Sequence, residues 1–373
     1  MFEPPYRAAV IGRTGRGNYG HSLDLALLDQ PKLTVVAVAD DDPKGRAAAA
    51  KRLSVDKTYA DYVEMLDDAK PRFVAVAPRW IDCHKDMIVA CAQRGIHVFS
   101  EKPLAPTLAD CDAIADACAR SHVKLAIAFQ TRYSERYKRV KELIDAGVIG
   151  EVLEVRGRGK EDRRGGGEDL FVLGSHVMDL FRGLLGEPAW CMARVTEGGK
   201  PIGKAQVRAG AEGLGLLAGD RIDAIYGFKH STAVAHFATA RPKEPGQRFG
   251  VQIFGSKGRI ELGFGWVPPA RLLLDPTWSG APGSGTWTEI TSGGPGKPET
   301  VTSTDLVTAN RVIVADLIRA VETDTQPLVN VDDARGAVEM VLACYASQAS
   351  GGLVPFPLVN RTKHPLETIG DDA

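Results

Sequence analysis

The chain has almost no net charge: 46 lysines and arginines face 47 aspartates and glutamates, a formal −1 over 373 residues. A surface built for a polyanion carries a basic excess, so no nucleic-acid partner is implied. The basic clusters at Arg132–Lys141 and Arg156–Arg164 are local and read as a solvated helix face and a site loop. Cysteine is scarce, six in all and none in a CxxC pair, which argues against a disulfide framework at this size and against a zinc site. Several of the six fall among apolar helical residues, as buried thiols do. No apolar run is long enough to span a bilayer. Residues Met1 to Arg7 show no basic stretch ahead of an apolar one, so no signal peptide and a cytoplasmic location are expected. There is no GxSxG elbow and no GKS or GKT loop, so neither a serine hydrolase nor a nucleoside triphosphatase is suggested.

Two domains are the prior at this length. In the first 130 residues, short apolar runs alternate with helical stretches. Ala8–Ile11, Leu33–Ala39, Phe73–Ala77, His97–Phe99 and Lys124–Phe129 read as strands. His21–Leu28, Lys44–Leu53, Tyr62–Leu66, Ile81–Arg94 and Asp110–Arg120 read as helices. Alternation of this kind predicts βαβ units around a buried parallel sheet, an α/β dinucleotide-binding domain of Rossmann type over 1–130. After Gln130 a helix at Glu135–Ala146 precedes β-rich segments spaced by glycine and proline turns, at 152–155, 224–228, 233–238, 249–254 and 259–262. These predict a second α+β domain over 131–373 with a largely antiparallel sheet. Gly280–Lys297 reads as a surface loop, and Ala309–Glu322 and Asp332–Ala349 as amphipathic helices.

The first strand runs into Gly12-Arg13-Thr14-Gly15-Arg16-Gly17-Asn18-Tyr19-Gly20. A glycine turn between a strand and a helix lets backbone N–H groups approach a pyrophosphate at the helix N-terminus. Counted from the strand, Thr14 stands where the second glycine of GxGxxG belongs; counted literally, Gly15-x-Gly17-x-x-Gly20 matches three residues late. Gly12, Thr14, Gly15, Arg16 and Gly17 are the expected phosphate contacts. Asp40, at the end of the second strand, would bind the adenosine ribose hydroxyls and repel a 2′-phosphate, predicting NAD over NADP.

Two further clusters stand out: Gly95-Ile96-His97-Val98-Phe99-Ser100-Glu101-Lys102-Pro103, and Gly174-Ser175-His176-Val177-Met178-Asp179 behind Gly165-Gly166-Gly167. With the glycine turn, Asp40, His84 at a helix start, and Phe249–Gly258, they make the chain resemble the Gfo/Idh/MocA oxidoreductases, named after glucose-fructose oxidoreductase and inositol dehydrogenase. The resemblance runs over nearly the whole chain. It implies a Rossmann domain joined to an open-faced α/β domain, NAD as cofactor, a carbohydrate substrate, and assembly into a homodimer or homotetramer.

The chemistry fits the residue types. A carbinol carbon loses hydride only as its hydroxyl proton leaves, and histidine is a suitable base near neutral pH. A lysine ammonium stabilises negative charge developing on the oxygen. By resemblance Lys102 is that lysine and His176 the acid/base, with Asp179 one helical turn on as its orienting partner. Pro103 would fix the loop, and Glu101 would orient Lys102 or contact the nicotinamide ribose. Pro78, His84 and Gln130 are expected beside the cofactor. Tyr133, Lys160, Arg163 and Asp169 are expected beside the substrate, and Trp190, Trp266 and Trp278 are aromatic candidates for a sugar site or for core. One departure stands out: many dehydrogenases of this family carry an aspartate four residues before the histidine, and here that residue is Val172. Asp169 or Asp179 substitutes for it, or His176 works without it. The resemblance therefore implies an NAD-dependent dehydrogenase of a sugar, polyol or glycoside hydroxyl. Its alternative is a redox-neutral glycosidase or lyase that oxidises transiently and eliminates.

Overall fold

The computed structural model describes residues 5–242, 248–277 and 285–370. The chain divides into two compact units. The first comprises the chain up to Gln130 together with Ala211–Gly215 and Asp305–Arg335, and the second holds the remainder. The sequence predicts one boundary after 130, but the chain returns to the first unit twice. The later return follows from burial: helix Leu306–Glu322 sinks Ala309, Ile313, Val314 and Leu317 against elements of the first unit. Its amphipathic pattern announces a buried face without saying which sheet that face covers.

The sheet of the first unit contains β1 (Tyr6–Ile11), β2 (Leu33–Ala39), β3 (Lys57–Tyr59), β4 (Phe73–Val76), β5 (His97–Ser100) and β6 (Leu125–Ile127). All pairings are parallel, in the order β3-β2-β1-β4-β5-β6. Continuous apolar runs such as Phe73-Val74-Ala75-Val76, fully buried, are what a strand covered on both faces requires. Helices α1 (Pro43–Leu53), α2 (Tyr62–Ala69), α3 (His84–Ala92) and α4 (Leu108–Arg120) supply the cover. Their starts are set locally. The Asp42 side chain caps α1 by accepting from Gly45 N at 2.6 Å with Pro43 in the first turn, and Asp61 and Thr107 cap α2 and α4. Strand order reverses between β1 and β4, and the crevice beyond the strand ends there is where such sheets bind ligands.

One predicted helix is absent. Instead of a helix over His21–Leu28, two short 3-10 turns occur, Gly20–Ser22 and Asp24–Leu27. The long glycine segment closes on itself through a bridge between Arg13 and Asn18, and Gly20 N donates to Ala77 O at 2.7 Å. Asn18, His21 and Ser22 have φ of 53°, 47° and 60°, left-handed values that an α-helix does not accept. The helix dipole expected behind the glycine turn is therefore not supplied by a regular helix.

In the second unit the main strands are β7 (Val152–Arg158), β8 (Pro188–Glu197), β9 (Arg221–Phe228), β10 (Val234–Ala240), β11 (Gly250–Gly255), β12 (Arg259–Gly263), β13 (Ala270–Leu273) and β14 (Thr288–Thr291). They run in the order β14-β13-β12-β11-β7-β10-β9-β8, antiparallel except for the β7–β10 pair. Helices α5 (Glu135–Asp145), α6 (Gly166–Val172) and α7 (Gly174–Leu185) precede or interrupt the strands. The α7 side chains Val177 and Phe181 lie against Gly157 of β7. Because strand residues alternate between faces, Arg156 and Arg158 point the other way. Of the segment predicted as a loop at 280–297, residues 280–284 lie outside the described residues and the rest is partly strand: Thr288–Thr291 pairs with β13 and with Gly294–Pro295. Ile290 is fully buried there, and glycine-rich surroundings hide so short a strand from a composition reading. All six cysteines are buried free thiols, and no helix among the described residues is long and apolar enough to cross a membrane.

Candidate active site residues in the two units

In the first unit the glycine turn, the β2 end and the Glu101–Lys102 segment gather beyond the carboxyl ends of the parallel strands. Gly17, at φ +94°, lies so close to the next strand end that an added Cβ would meet the Trp80 and Arg79 amide nitrogens at 2.4 and 2.5 Å. Gly15 and Arg16 are exposed at the tip of the turn, and Arg16 pairs with Asp82 at 2.6 Å. Asp40 is buried and its carboxylate is already engaged. It accepts from Thr14 N at 3.1 Å, Thr14 Oγ1 at 2.7 Å and Asp42 N at 3.0 Å. Its neighbour Asp41 is exposed and faces Arg13 at 3.6 Å. A cavity of about 320 Å³ opens beside them, lined among others by Gly12, Arg13, Asp40, Asp41, Tyr62 and Met87. That volume lies at the small end of the range of roughly 300–1,000 Å³ usual for small-molecule sites. A dinucleotide's adenosine end fits this lining: a glycine at the strand end, a cation, and carboxylates for ribose hydroxyls.

Glu101 is fully buried and Lys102 nearly so. One Glu101 oxygen contacts His21 Nδ1 in a short hydrogen bond, and the other accepts from Lys102 N at 2.9 Å. Burial disfavours the charged form of Glu101, but His21 and Lys102 outweigh it and hold the carboxyl below its ordinary value. His84 has no exposed surface, and both of its ring nitrogens face backbone carbonyls. Nε2 lies 2.7 Å from Pro78 O, and Nδ1 lies 3.1 and 3.2 Å from Pro103 O and Leu104 O. This histidine ties the Lys102–Pro103 loop to the β4 end, and Pro78 takes part through its carbonyl. Gln130 donates to Asn310 Oδ1 at 2.9 Å, and Asn310 Nδ2 donates to His21 O at 2.9 Å. The sequence reading missed His21 and Asn310. The position of His21 directly after the last glycine was the available signal for one, and nothing local marked the other.

In the second unit His176 occupies the first turn of α7, half-buried, its ring against Phe249 and Phe264 at centroid distances of 6.1 and 5.9 Å. Those two phenylalanines stack on each other at 4.0 Å. Asp179 is buried and accepts from Arg132 Nη1 at 3.0 Å. Asp169, also fully buried, accepts from Glu161 N at 3.2 Å and is bonded to Thr239 Oγ1, while its Oδ1 has no hydrogen-bond partner. Burial is the main reason its carboxyl is held above the usual range. Tyr133 is buried, Lys160 is half-buried 3.9 Å from Asp162, and Arg163 is exposed. Glu161 is wholly buried between Arg158 and Arg248, at 2.6 and 2.7 Å. Trp190 packs on Gly227, Trp266 is buried, and Trp278 lies outside the described residues. A cavity of about 890 Å³ spreads over the sheet, lined by Arg156, Arg158, Arg248, Phe249 and Trp287 among others; His176 does not line it.

Comparison with known proteins shows the family and the fold class. Residues 6–129 match the oxidoreductase family with an NAD-binding Rossmann fold, and residues 137–261 match the GFO/IDH/MocA C-terminal domain. Myo-inositol 2-dehydrogenase of Thermotoga maritima is 28% identical over 274 residues, covering 67% of this chain and 74% of that protein. The 2,7-anhydro-N-acetylneuraminate hydratase of Mediterraneibacter gnavus is 31% identical over 140 residues, 37% of this chain and 36% of that protein. A levoglucosan dehydrogenase solved with NADH and L-sorbose superposes with a TM-score of 0.75 at 19% identity, over 96% of this chain and all of that one. The chain belongs to the Gfo/Idh/MocA family and is an NAD-dependent oxidoreductase.

Proposed function

We propose that the enzyme oxidises a hydroxyl of a sugar, polyol or glycoside. The observation that carries this reading is the buried Glu101–Lys102 segment at the ligand end of the parallel sheet, held by His84 and His21. Gly12, Thr14, Gly15, Arg16 and Gly17 hold the pyrophosphate, and Asp40 with Asp41 serves the adenosine ribose. Bound NAD supplies the hydride acceptor. Lys102 holds the substrate oxygen and stabilises its developing charge, and His176 takes the hydroxyl proton. The half-buried ring of His176 lies beside the Phe249–Phe264 pair, which limits its tilt. Asp179 steadies α7 through Arg132, and Lys160, Arg163, Asp169 and Tyr133 complete the substrate side. The enzyme is cytoplasmic and assembles as a homodimer or homotetramer.

A second reading has a specific observation in its favour. Val172 stands where many dehydrogenases of the family have an aspartate, and one relative is named a hydratase. Transient oxidation followed by elimination and re-reduction would leave no net NADH. The deciding experiment measures NADH formed per substrate consumed across a panel of sugars, polyols and glycosides. Equimolar NADH is the expected result. Substrate loss without NADH would install the redox-neutral reading, and no consumption at all would overturn both.

A further inference from the structure

His21 is the contact that the reaction scheme leaves unexplained. Its side chain is 36% exposed, yet it touches the one fully buried carboxylate of the lysine segment. Gly20 is what lets it arrive there, since a Cβ at that position would meet Glu101 Oε1 at 2.5 Å. The backbone of His21 is fixed in turn: its φ is 47°, and its carbonyl accepts from the fully buried Asn310, which Gln130 holds from the other side. A left-handed non-glycine residue clamped by a buried amide is a costly way to place a side chain. The result is a continuous chain of contacts from Gln130 through Asn310, His21 and Glu101 to the Lys102 amide.

We propose that His21 is a positioning residue for Lys102: its Nδ1 clamps one oxygen of the buried Glu101 so that the other fixes the Lys102 amide. The proposal rests on Lys102 acting at the substrate oxygen. A buried carboxylate with a single partner can rotate about its terminal torsion, and the second partner removes that freedom. Without His21, Glu101 would be left as a buried charge short of a partner, and the Lys102 amide would lose a fixed acceptor.

Three variants test this: His21→Ala, His21→Asn and Glu101→Gln. Asparagine puts a donor near the place of Nδ1 and tolerates left-handed backbone better than most residues. Amide exchange of peptides spanning 98–104 is followed by mass spectrometry, alongside NADH affinity, kcat and KM. His21→Ala is expected to speed exchange in that segment about tenfold. It should also lower kcat about tenfold, with KM and NADH affinity within about threefold of the parent. His21→Asn should restore both to within about threefold. In the Glu101→Gln background, removing His21 should cost less than about twofold, because the coupled partner is already gone. Unchanged exchange and kcat in His21→Ala would overturn the proposal, as would an asparagine variant as impaired as the alanine, or full additivity of the two losses. If His21→Ala does not fold, Glu101→Gln is compared with the double variant, in which no buried charge is left unpaired. The exchange measurement needs no turnover. A parent enzyme that oxidised nothing would therefore sink the dehydrogenase reading and still leave this one to be judged by exchange.

Discussion

The two units treat their charged groups differently. In the first, Asp40, Glu101, Lys102 and His84 are all buried, and Asp40, Glu101 and His84 are each held by backbone groups close to a strand end. In the second, His176 is half-exposed on aromatic rings, while the carboxylates near it in sequence are tied across the fold: Asp179 to Arg132, Asp169 to Thr239. A parallel sheet delivers its strand ends to one edge whatever the side chains, so a short loop there can be over-determined by backbone contacts alone. A mixed sheet has no such edge. Its site groups are placed by side chains, and a carboxylate used to brace helix against strand has fewer lone pairs left for chemistry.

The largest effect expected from this contrast is at Lys102. Lys102→Met should lower kcat/KM by about 10²–10³-fold, the usual cost of removing a donor to a developing oxyanion, with NADH affinity little changed. A loss below tenfold in steady-state assays would show that the over-determined loop holds something other than the reacting oxygen. Next is the glycine turn. Gly17→Ala sets a Cβ against two backbone nitrogens at a left-handed φ, so the turn must shift. NADH affinity, read by fluorescence titration, should fall by about tenfold or more, and stability by about 1–3 kcal/mol.

A smaller effect compares the units through one histidine in each. His97 and His364 are both pushed down to about 4, chiefly by burial. Each Nδ1 accepts a backbone N–H, from Lys124 at 3.1 Å and from Leu366 at 3.2 Å, and a proton there would remove the acceptor. Both native values lie below the unfolded value of about 6.5, so the unfolded chain takes up protons first. Stability from these sites is full above about pH 6.5 and declines as pH falls toward 4. Melts across that window should show the decline, and His364→Asn, which offers an acceptor without titrating, should flatten it by on the order of 2 kcal/mol at the acid end. The smallest effect is at Asp169. Burial favours its protonated form and one oxygen is unpartnered, so Asp169→Asn should change stability by less than about 1 kcal/mol and kcat by less than about threefold. A loss of 10²-fold in kcat would make Asp169 the replacement for the aspartate missing at Val172.

Much of the first unit was legible because its signals are local. Alternating apolar runs and helical stretches, an aspartate followed by proline at the α1 start, and Glu101-Lys102-Pro103 at a strand end all sit within a few residues of what they determine. The glycine segment misled because its composition permits two registers. Gly20 N donates to Ala77 O and Arg79 N donates to Gly17 O just beyond β4, and 3-10 turns stand where a helix was expected. Asp40 was recognisable as the acidic residue ending β2, but not that Thr14 would occupy its oxygens. Asn310 carried no local mark at all; its partner Gln130 is 180 residues away in sequence.

The sequence by itself determined the alternation of strands and helices in the first unit, the parallel sheet, the cofactor class and the residue types available for proton and charge handling. Each of these follows from periodicity, turn chemistry or functional groups that act over a few residues. Tertiary structure alone decided that helix Leu306–Glu322 belongs to the first unit, that His21 clamps Glu101, and that Asp169 and Asp179 brace the second unit. Those outcomes depend on which distant surfaces bury one another and which buried polar atoms must then find partners, and a linear pattern does not encode either.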